Sequence, residues 1–352
     1  MKSVYLVLAG NNLPGSFAVA TVIDSSGSAP GRPGNTALIT RDGLIHGTVG
    51  GGIVEKRVLE TASGFIGRNR SGIFRYKLGN PVPKSDDAIC GGDVTVLIDS
   101  TMSGDTGFLQ NLREIQKKKI PFAVVTSAVR VEGDEYKLSR GIACEDFSSG
   151  HERLFTGEVN RKIQEMLDRT ERENIFVFRS GEKEKESLVI VESVPRPPQL
   201  IIAGAGHIGR AVCMLGSFLG FEVTVIDDRP EFTGKTMLPM ADNIITANIG
   251  EAIAKAEKDK NTYIVIVTRG HSNDAEALKN CIGSDAAYVG MIGSRTKTEL
   301  MRRDFISRGW ATQEQWEKIH TPIGIKISSE TVEEIALSIA AELVMVKNSS
   351  GK

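Results

Sequence analysis

The most specific cluster of residues able to do chemistry is Gly204-Ala205-Gly206-His207-Ile208-Gly209. It directly follows the apolar run Leu200–Ala203 and precedes a helix-compatible stretch, Arg210–Leu219. In that context each glycine has a job. The first permits a tight turn, the second lets backbone N–H groups approach a phosphate, and the third lets the helix pack on the strand. Unpaired N–H groups at the helix start then attract an anion. His207 lies inside the turn, either beside that phosphate or exposed at the helix start. Asp227 ends the next strand-like run, 18 residues after Gly209, where it can accept a ribose hydroxyl. Its neighbours are Asp228 and Arg229, the latter suited to a 2′-phosphate, to another anion, or to plain solvent.

Two polar segments follow later apolar runs, Thr268-Arg269-Gly270-His271-Ser272-Asn273-Asp274 and Gly293-Ser294-Arg295, with Lys297 next. Open α/β sheets bind ligands outside the carboxyl ends of their strands. His271, Asp274, Ser294 and Arg295 are therefore expected in the same cleft, and His271 with Asp274 is the one pair suited to proton transfer. In the first half, Gly47-Thr48-Val49-Gly50-Gly51-Gly52 precedes a helix bearing Glu55, and three bare N–H groups in succession can nest an anion. Upstream, Gly27-Ser28-Ala29-Pro30-Gly31-Arg32-Pro33-Gly34 supplies Arg32 as a fixed positive charge. Cys90-Gly91-Gly92 sets a sterically open thiol beside two glycines, fit for a soft metal ligand, a sulfur carrier or an inert buried thiol. Cys90, His271 and Asp274 are the candidates for a catalytic role, and Cys90 alone for metal.

These clusters need two different frames. Beyond about residue 199, near-continuous apolar runs at Leu200–Ala203, Glu222–Ile226, Ile244–Thr246, Tyr263–Val267 and Ala287–Met291 alternate with helix-compatible stretches, the pattern of a parallel sheet covered on both faces. Glu330–Leu343 reads as a final helix packed on it. Before about residue 182 the order is mixed. Strands are expected at Phe17–Ile23, Thr36–Thr40, Leu44–Val49, Phe74–Leu78, Val94–Asp99, Phe122–Ser127 and Ile175–Phe178, and helices near Ile53–Ala62, Phe108–Lys119 and Val159–Arg169. Asp42-Gly43 between two strand-like runs marks a hairpin. The charge run 181–186 and Pro195-Arg196-Pro197-Pro198 separate the halves, with a short strand-like stretch, Leu188–Glu192, between them. The expected fold class is α/β: an N-terminal mixed α+β domain over 1–181, a linker over 182–198, a Rossmann-type doubly wound parallel sheet over 199–345 and a tail over 346–352.

The 352 residues suit about two domains. Lysine plus arginine (43) balance aspartate plus glutamate (44), which leaves no electrostatic basis for nucleic acid or an anionic membrane as the main partner. Apolar runs are strand-sized, and no cleavage site follows the weakly signal-like start, so a cytoplasmic location is expected. The four cysteines form no C-x-x-C pair, which disfavours a zinc site or a disulfide framework; Cys144, Cys213 and Cys281 read as small buried hydrophobes.

Together the motifs resemble the XdhC/CoxI family, accessory proteins of molybdenum hydroxylases such as xanthine dehydrogenase. The resemblance rests on Gly27–Pro30 with Pro33-Gly34, Gly47–Gly52 with Glu55, Cys90–Gly92, Gly204–Gly209, Asp227–Arg229, Thr268–His271 with Asp274, and Gly290–Arg295. Thr321–Gly324 and Glu330–Ala336 complete the set, in the family's order. It implies a chaperone that binds molybdenum cofactor (molybdopterin) as cargo, supports sulfuration of the metal with a cysteine desulfurase, and inserts it into an apo molybdenum hydroxylase of purine catabolism, acting as a homodimer. Ile53 stands where members commonly carry cysteine, and 86–89 are more acidic than the family's pattern. The Rossmann turn with Asp227 taken alone points instead to NAD(P) and an oxidoreductase, and nucleotidyl transfer onto molybdopterin is a third reading without the carboxylate cluster that Mg²⁺ would need.

Overall fold

A computed structural model describes residues 3–10, 15–78, 91–145, 147–149, 155–168, 174–181 and 186–349. The chain divides into two compact units, one within Ser3–Arg196 and one within Pro197–Lys352.

In the first unit the elements run α1 (Val4–Leu8), β1 (Ala18–Gly27), β2 (Thr36–Thr40), β3 (Gly43–Gly47), α2 (Gly52–Phe65), β4 (Ser71–Leu78), β5 (Gly92–Asp99), α3 (Thr106–Lys117), β6 (Phe122–Glu132), β7 (Glu135–Cys144), β8 (Phe147–Ser149), α4 (Gly157–Leu167), β9 (Ile175–Ser180) and β10 (Ser187–Val194). The strands form one sheet in the order β3-β2-β1-β5-β4-β7-β6-β10-β9, with β8 beside β7. Every pairing among the described residues is antiparallel. Helix α2 covers one region with Val54, Val58 and Ala62 against Ala18, Ala20 and Val96. Helix α3, capped by the Asp105 carboxylate on Phe108 N at 3.0 Å, buries Leu112 and Ile115 elsewhere on the sheet.

Within the stretch assigned to the linker, the strand-like run Leu188–Glu192 is part of a strand, Ser187–Val194, with partners on both sides, β6 and β9. Strand β7 escapes the sequence pattern because the alternation of Glu135–Ser139 breaks at Arg140-Gly141 before the short apolar run Ile142–Cys144.

The second unit begins with β11 (Gln199–Ala203), α5 (His207–Phe218), β12 (Glu222–Asp227), β13 (Asn243–Thr246) and α6 (Ile249–Lys255). It continues with β14 (Thr262–Ile266), α7 (His271–Lys279), β15 (Tyr288–Met291), α8 (Arg295–Ser307), α9 (Gln313–Glu317) and α10 (Val332–Ser349). The sheet is β13-β12-β11-β14-β15, parallel throughout. Alternate residues point to opposite faces. Leu200, Ile202, Val223 and Val225 pack with Val212 and Cys213 of α5 and Ile339 of α10. Ile201, Ala203, Ile264 and Ile266 pack with Ile253 of α6, Leu278 of α7 and Phe305 of α8. Helices on both faces of a parallel sheet make this the doubly wound Rossmann arrangement. Strand order reverses at β11, so the crevice between β11 and β14 is the switch point where such folds take ligands.

Candidate functional site

At the carboxyl end of β11 the chain turns through Gly204 with φ of +112°, a left-handed conformation natural to glycine. A Cβ there would come within 2.5 Å of the Val267 carbonyl and 3.0 Å of Thr268 Cα, so the turn sits directly on the end of β14. Gly209 allows equally close packing, since a Cβ on it would overlap the Gly204 carbonyl oxygen. Helix α5 starts at His207, three residues earlier than its apolar pattern suggests, because the glycine turn is itself the first helical turn. Gly206 is its N-cap with no side-chain capping bond, and a Cβ on Gly206 would meet nothing within 4 Å. The first N–H groups of a 12-residue helix are therefore left open to an anion, with the exposed His207 beside them.

Asp227 departs from its expected role. Its side chain is 1% exposed, and its carboxylate accepts four hydrogen bonds: from Ala205 N at 2.7 Å, Arg229 N at 3.0 Å, Arg229 Nε at 2.8 Å and Arg229 Nη2 at 2.8 Å. A carboxylate offers about four lone-pair sites, so none remains for a ribose hydroxyl. Burial alone would raise the Asp227 pKa; the Arg229 guanidinium and the two backbone N–H groups outweigh it and hold it at about 2. Arg229, for which a 2′-phosphate, another anion and plain solvent all stood open, is spent on this pair and stacks over Phe232, 4.1 Å from the ring centroid. The pair locks the Gly204–Gly209 turn to β12 through Ala205.

The proton-transfer pairing of His271 with Asp274 is also replaced. Asp274 is fully buried; its Oδ1 accepts from Thr268 Oγ1 at 2.5 Å and its Oδ2 from Lys297 Nζ at 2.6 Å. His271 is the exposed first residue of α7, whose N-cap Gly270 also lacks a side-chain bond. Ser294 caps α8 by accepting from Lys297 N at 3.2 Å, and Arg295 is exposed at the first position of that helix. With Arg295 and Lys297 in its first turn and no acid there, α8 has cations at its positive dipole end, a placement that costs about 0.5 kcal/mol per exposed charge unless something offsets it. Asp274 does so for Lys297.

A further network was not visible in the sequence. Glu342 of α10 accepts from Tyr288 OH at 2.6 Å and Gly324 N at 2.7 Å, and its other oxygen lies 3.0 Å from His320 Nδ1. His320 pairs with Gly290 as an added bridge beside β15 and lies against the Tyr288 ring, with centroids 4.4 Å apart. Burial opposes ionisation of Glu342, yet its bonds from His320, Tyr288 and Gly324 hold its pKa below the ordinary value; burial raises that of Tyr288. The available signal was a glutamate three residues from Ile339 on the buried stripe of an otherwise apolar helix.

In the first unit the separate glycine motifs meet. Gly31 packs so closely on Gly50 that a Cβ on Gly50 would overlap its backbone, and Gly92 lies equally close to the Ser26 carbonyl. Ser28 N donates to Gly91 O at 2.7 Å. The segment 26–31 thus touches Gly92 at one end and Gly50 at the other, with the exposed Arg32 next to it. Gly51 (φ +77°) and Gly52 (φ +61°) open α2 with free space around them and no side-chain cap. Glu55 already sits at this helix start, accepting from Thr48 Oγ1 at 2.6 Å and Val49 N at 3.3 Å, so an anion here would meet a carboxylate. Cys90 lies outside the described residues. Cys144, Cys213 and Cys281 are buried free thiols, and burial pushes Cys213 up to about 11 and Cys281 to about 12, which keeps both protonated. Among the described residues no helix is long and apolar enough to cross a membrane.

Two family models match the chain: the XdhC and CoxI family over residues 14–77 and the XdhC Rossmann domain over 200–343. An uncharacterized Escherichia coli (strain K12) protein, YqeB, is 24% identical over 95% of this chain, which spans 44% of that relative's length. A Bacillus subtilis (strain 168) protein, named as a probable subunit of xanthine dehydrogenase, is 22% identical, with 94% of this chain and 92% of that one covered. A crystal structure from Bacillus halodurans, called a xanthine dehydrogenase, superposes with a TM-score of 0.73 at 22% identity, covering 99% of this chain and 96% of the other.

Proposed function

Because the chain belongs to the XdhC and CoxI family, we propose that it is a maturation factor for a molybdenum hydroxylase of the xanthine dehydrogenase type. It takes up molybdenum cofactor as cargo, supports sulfuration of the metal together with a cysteine desulfurase, and passes the cofactor to the apo-hydroxylase in the cytoplasm. The observation that carries this reading is a contrast within one turn: the N–H groups at Gly206 are open, while the Asp227 carboxylate is saturated. A dinucleotide held in the usual Rossmann manner needs both the anion site and a free acidic group for its ribose. A pterin ending in phosphate needs only the first. NAD(P) binding, and the oxidoreductase reading with it, loses its second anchor at Asp227.

In this reading Gly204, Gly206, His207 and Gly209 hold the phosphate end, and Ser294 and Arg295 line the neighbouring strand end. In the first unit Gly50–Gly52, Arg32, Gly91 and Gly92 contact parts of the cargo other than its phosphate, because Glu55 already occupies that helix start, and Cys90 serves as a soft ligand to metal or sulfur. The cofactor brings the redox-active metal; the chain's own groups bind, orient and shield.

Anaerobic titration of the protein with molybdenum cofactor released from a donor enzyme, followed by pterin fluorescence, is the test, run beside NADH. The expected result is saturable cofactor binding, weakened at least about tenfold by Gly206→Trp, which fills the open side of the turn, with no comparable NADH binding. Tight NADH binding without cofactor binding would reverse the assignment.

A further inference from the structure

We infer that a cavity in the first unit, built around Asp105 and Arg140, binds the 2-amino-4-oxopyrimidine edge of a flat bicyclic ring, the edge that pterins and guanine share. The inference goes beyond the reading of the Gly204–Gly209 turn as a phosphate site and does not depend on it, since this edge carries no phosphate.

The cavity measures about 470 Å³, within the ~300–1,000 Å³ of small-molecule sites. It lies where a single 3₁₀ turn, Thr101–Gly104, leads from β5 into α3. The buried Ser100 and the Arg140 side chain, 3% exposed, form its floor, and Leu138 gives it an apolar wall. Gly67, Asn69 and Gly104 are exposed at its rim. Asn69 Oδ1 lies 4.0 Å from where a Cβ on Gly104 would stand, so this amide reaches the corner that Asp105 occupies.

Two carboxylates share the Arg140 guanidinium, and their bonds differ. Asp99 is 3% exposed and saturated. Its Oδ1 accepts from Thr101 N at 2.8 Å and Thr101 Oγ1 at 2.7 Å, and its Oδ2 from Arg140 Nε at 3.1 Å and from Arg140 Nη2. Its charge already balances that of Arg140. Asp105 is the surplus carboxylate, with a side chain 37% exposed. Among the described residues it accepts one bond on each oxygen, from Phe108 N at 3.0 Å on Oδ1 and from Arg140 Nη1 at 3.2 Å on Oδ2. A carboxylate oxygen has two lone pairs, so one acceptor position stays open on each. Arg140 has five N–H groups. Asp99 takes two, Thr101 one and Asp105 one, which leaves one on Nη1 beside Asp105 Oδ2. The resulting row of acceptor, acceptor and donor is the complement of the pyrimidine edge, whose 2-amino N–H and ring N3–H donate and whose 4-oxygen accepts. The unbalanced charge of Asp105 strengthens bonds from such N–H donors.

Calorimetric titration of the full-length protein with pterin, guanosine, lumazine and methylguanidine, at fixed pH and ionic strength, tests this. Lumazine is the pteridine with oxygen in place of the 2-amino group; methylguanidine keeps the two donors and lacks the carbonyl. The ring that fits, pterin or guanosine, is expected to bind at least about tenfold more tightly than either analogue, because each analogue leaves a placed polar group of the site unpaired. The tighter of the two rings identifies the source of the edge. Asp105→Asn keeps an N-cap for α3 and should cancel the preference over lumazine. Gly104→Leu leaves both carboxylates in place and projects a side chain into open space at the rim, where a Cβ meets only Asn69 Oδ1 at 4.0 Å. It should weaken the preferred ring at least about tenfold, and it decides the matter if a thermal melt shows Asp105→Asn unfolded. An analogue that binds as tightly as the ring, ring affinity unchanged in either folded variant, or no binding of either ring would overturn the inference. None of these ligands carries a phosphate, so the test of the Gly206 turn with intact cofactor stands or falls separately.

Discussion

A carboxylate at the end of the second strand of a Rossmann sheet can either read a ligand or hold the turn beside it, and counting its bonds decides which. Asp227 spends one bond on Ala205 N and three on Arg229. The sequence could place the acid but not its partner, because an arginine two residues away folds back or points outward according to its rotamer, here reinforced by Phe232 under the guanidinium. The glycines were legible because turn, close approach and helix packing each exclude other residue types; the direction of a charged side chain is excluded by nothing local. Asp227 titrates at about 2 in the fold against an ordinary 3.8. A carboxylate with a lowered folded pKa adds stability that is complete above the unfolded value and is lost as pH falls towards the folded one, here about 2 kcal/mol. In urea unfolding, Asp227→Asn is therefore expected to cost about that much at pH 7 and progressively less between pH 4 and pH 2. An equal cost at pH 7 and pH 2 would show that the lost bonds, not the charge, hold the turn.

At the scale of elements, legibility followed burial. Strands β11, β14 and β15 are buried and read as continuous apolar runs, so their existence was plain. In the antiparallel sheet, β7 and β10 carry charged residues inside the strand. Glu192 of β10 is the sharpest case: it is 6% exposed, accepting from Tyr5 OH at 2.5 Å and Thr21 Oγ1 at 3.4 Å. Burial, helped by the nearby Asp99 charge, pushes its pKa from 4.5 up to about 7, against the hydrogen bonds from Tyr5 and Thr21. A raised folded pKa works in the opposite sense to Asp227. Its stabilising effect is complete below the unfolded value and disappears as pH rises through about 7. Glu192→Gln keeps the acceptor for Tyr5 and cannot ionise. Relative to the natural protein it should be near neutral at about pH 4 and stabilising by roughly 3 kcal/mol at about pH 8, read from the thermal midpoint at each pH. A variant destabilised equally at both would mean that accommodating the amide N–H groups, and not the lost charge, dominates.

At the scale of the whole molecule, the two units place bare-backbone glycine sites on different frames, a β-sheet hairpin with its following helix in one and a parallel-sheet switch point in the other. Asp227 and Asp274 are both committed to holding cations of this chain. The proposed maturation role has a consequence in cells. In a strain lacking the protein, its molybdenum hydroxylase should accumulate with its other centres in place but without the metal-bound sulfur that cyanide releases as thiocyanate. Activity should return on chemical resulfuration of enzyme that has received cofactor. The natural gene should restore sulfur and activity together, and one carrying Gly206→Trp should restore neither, because the phosphate end of the cargo can no longer enter the turn. A hydroxylase fully sulfurated and active without this protein would remove the maturation role, whatever the turn binds in vitro.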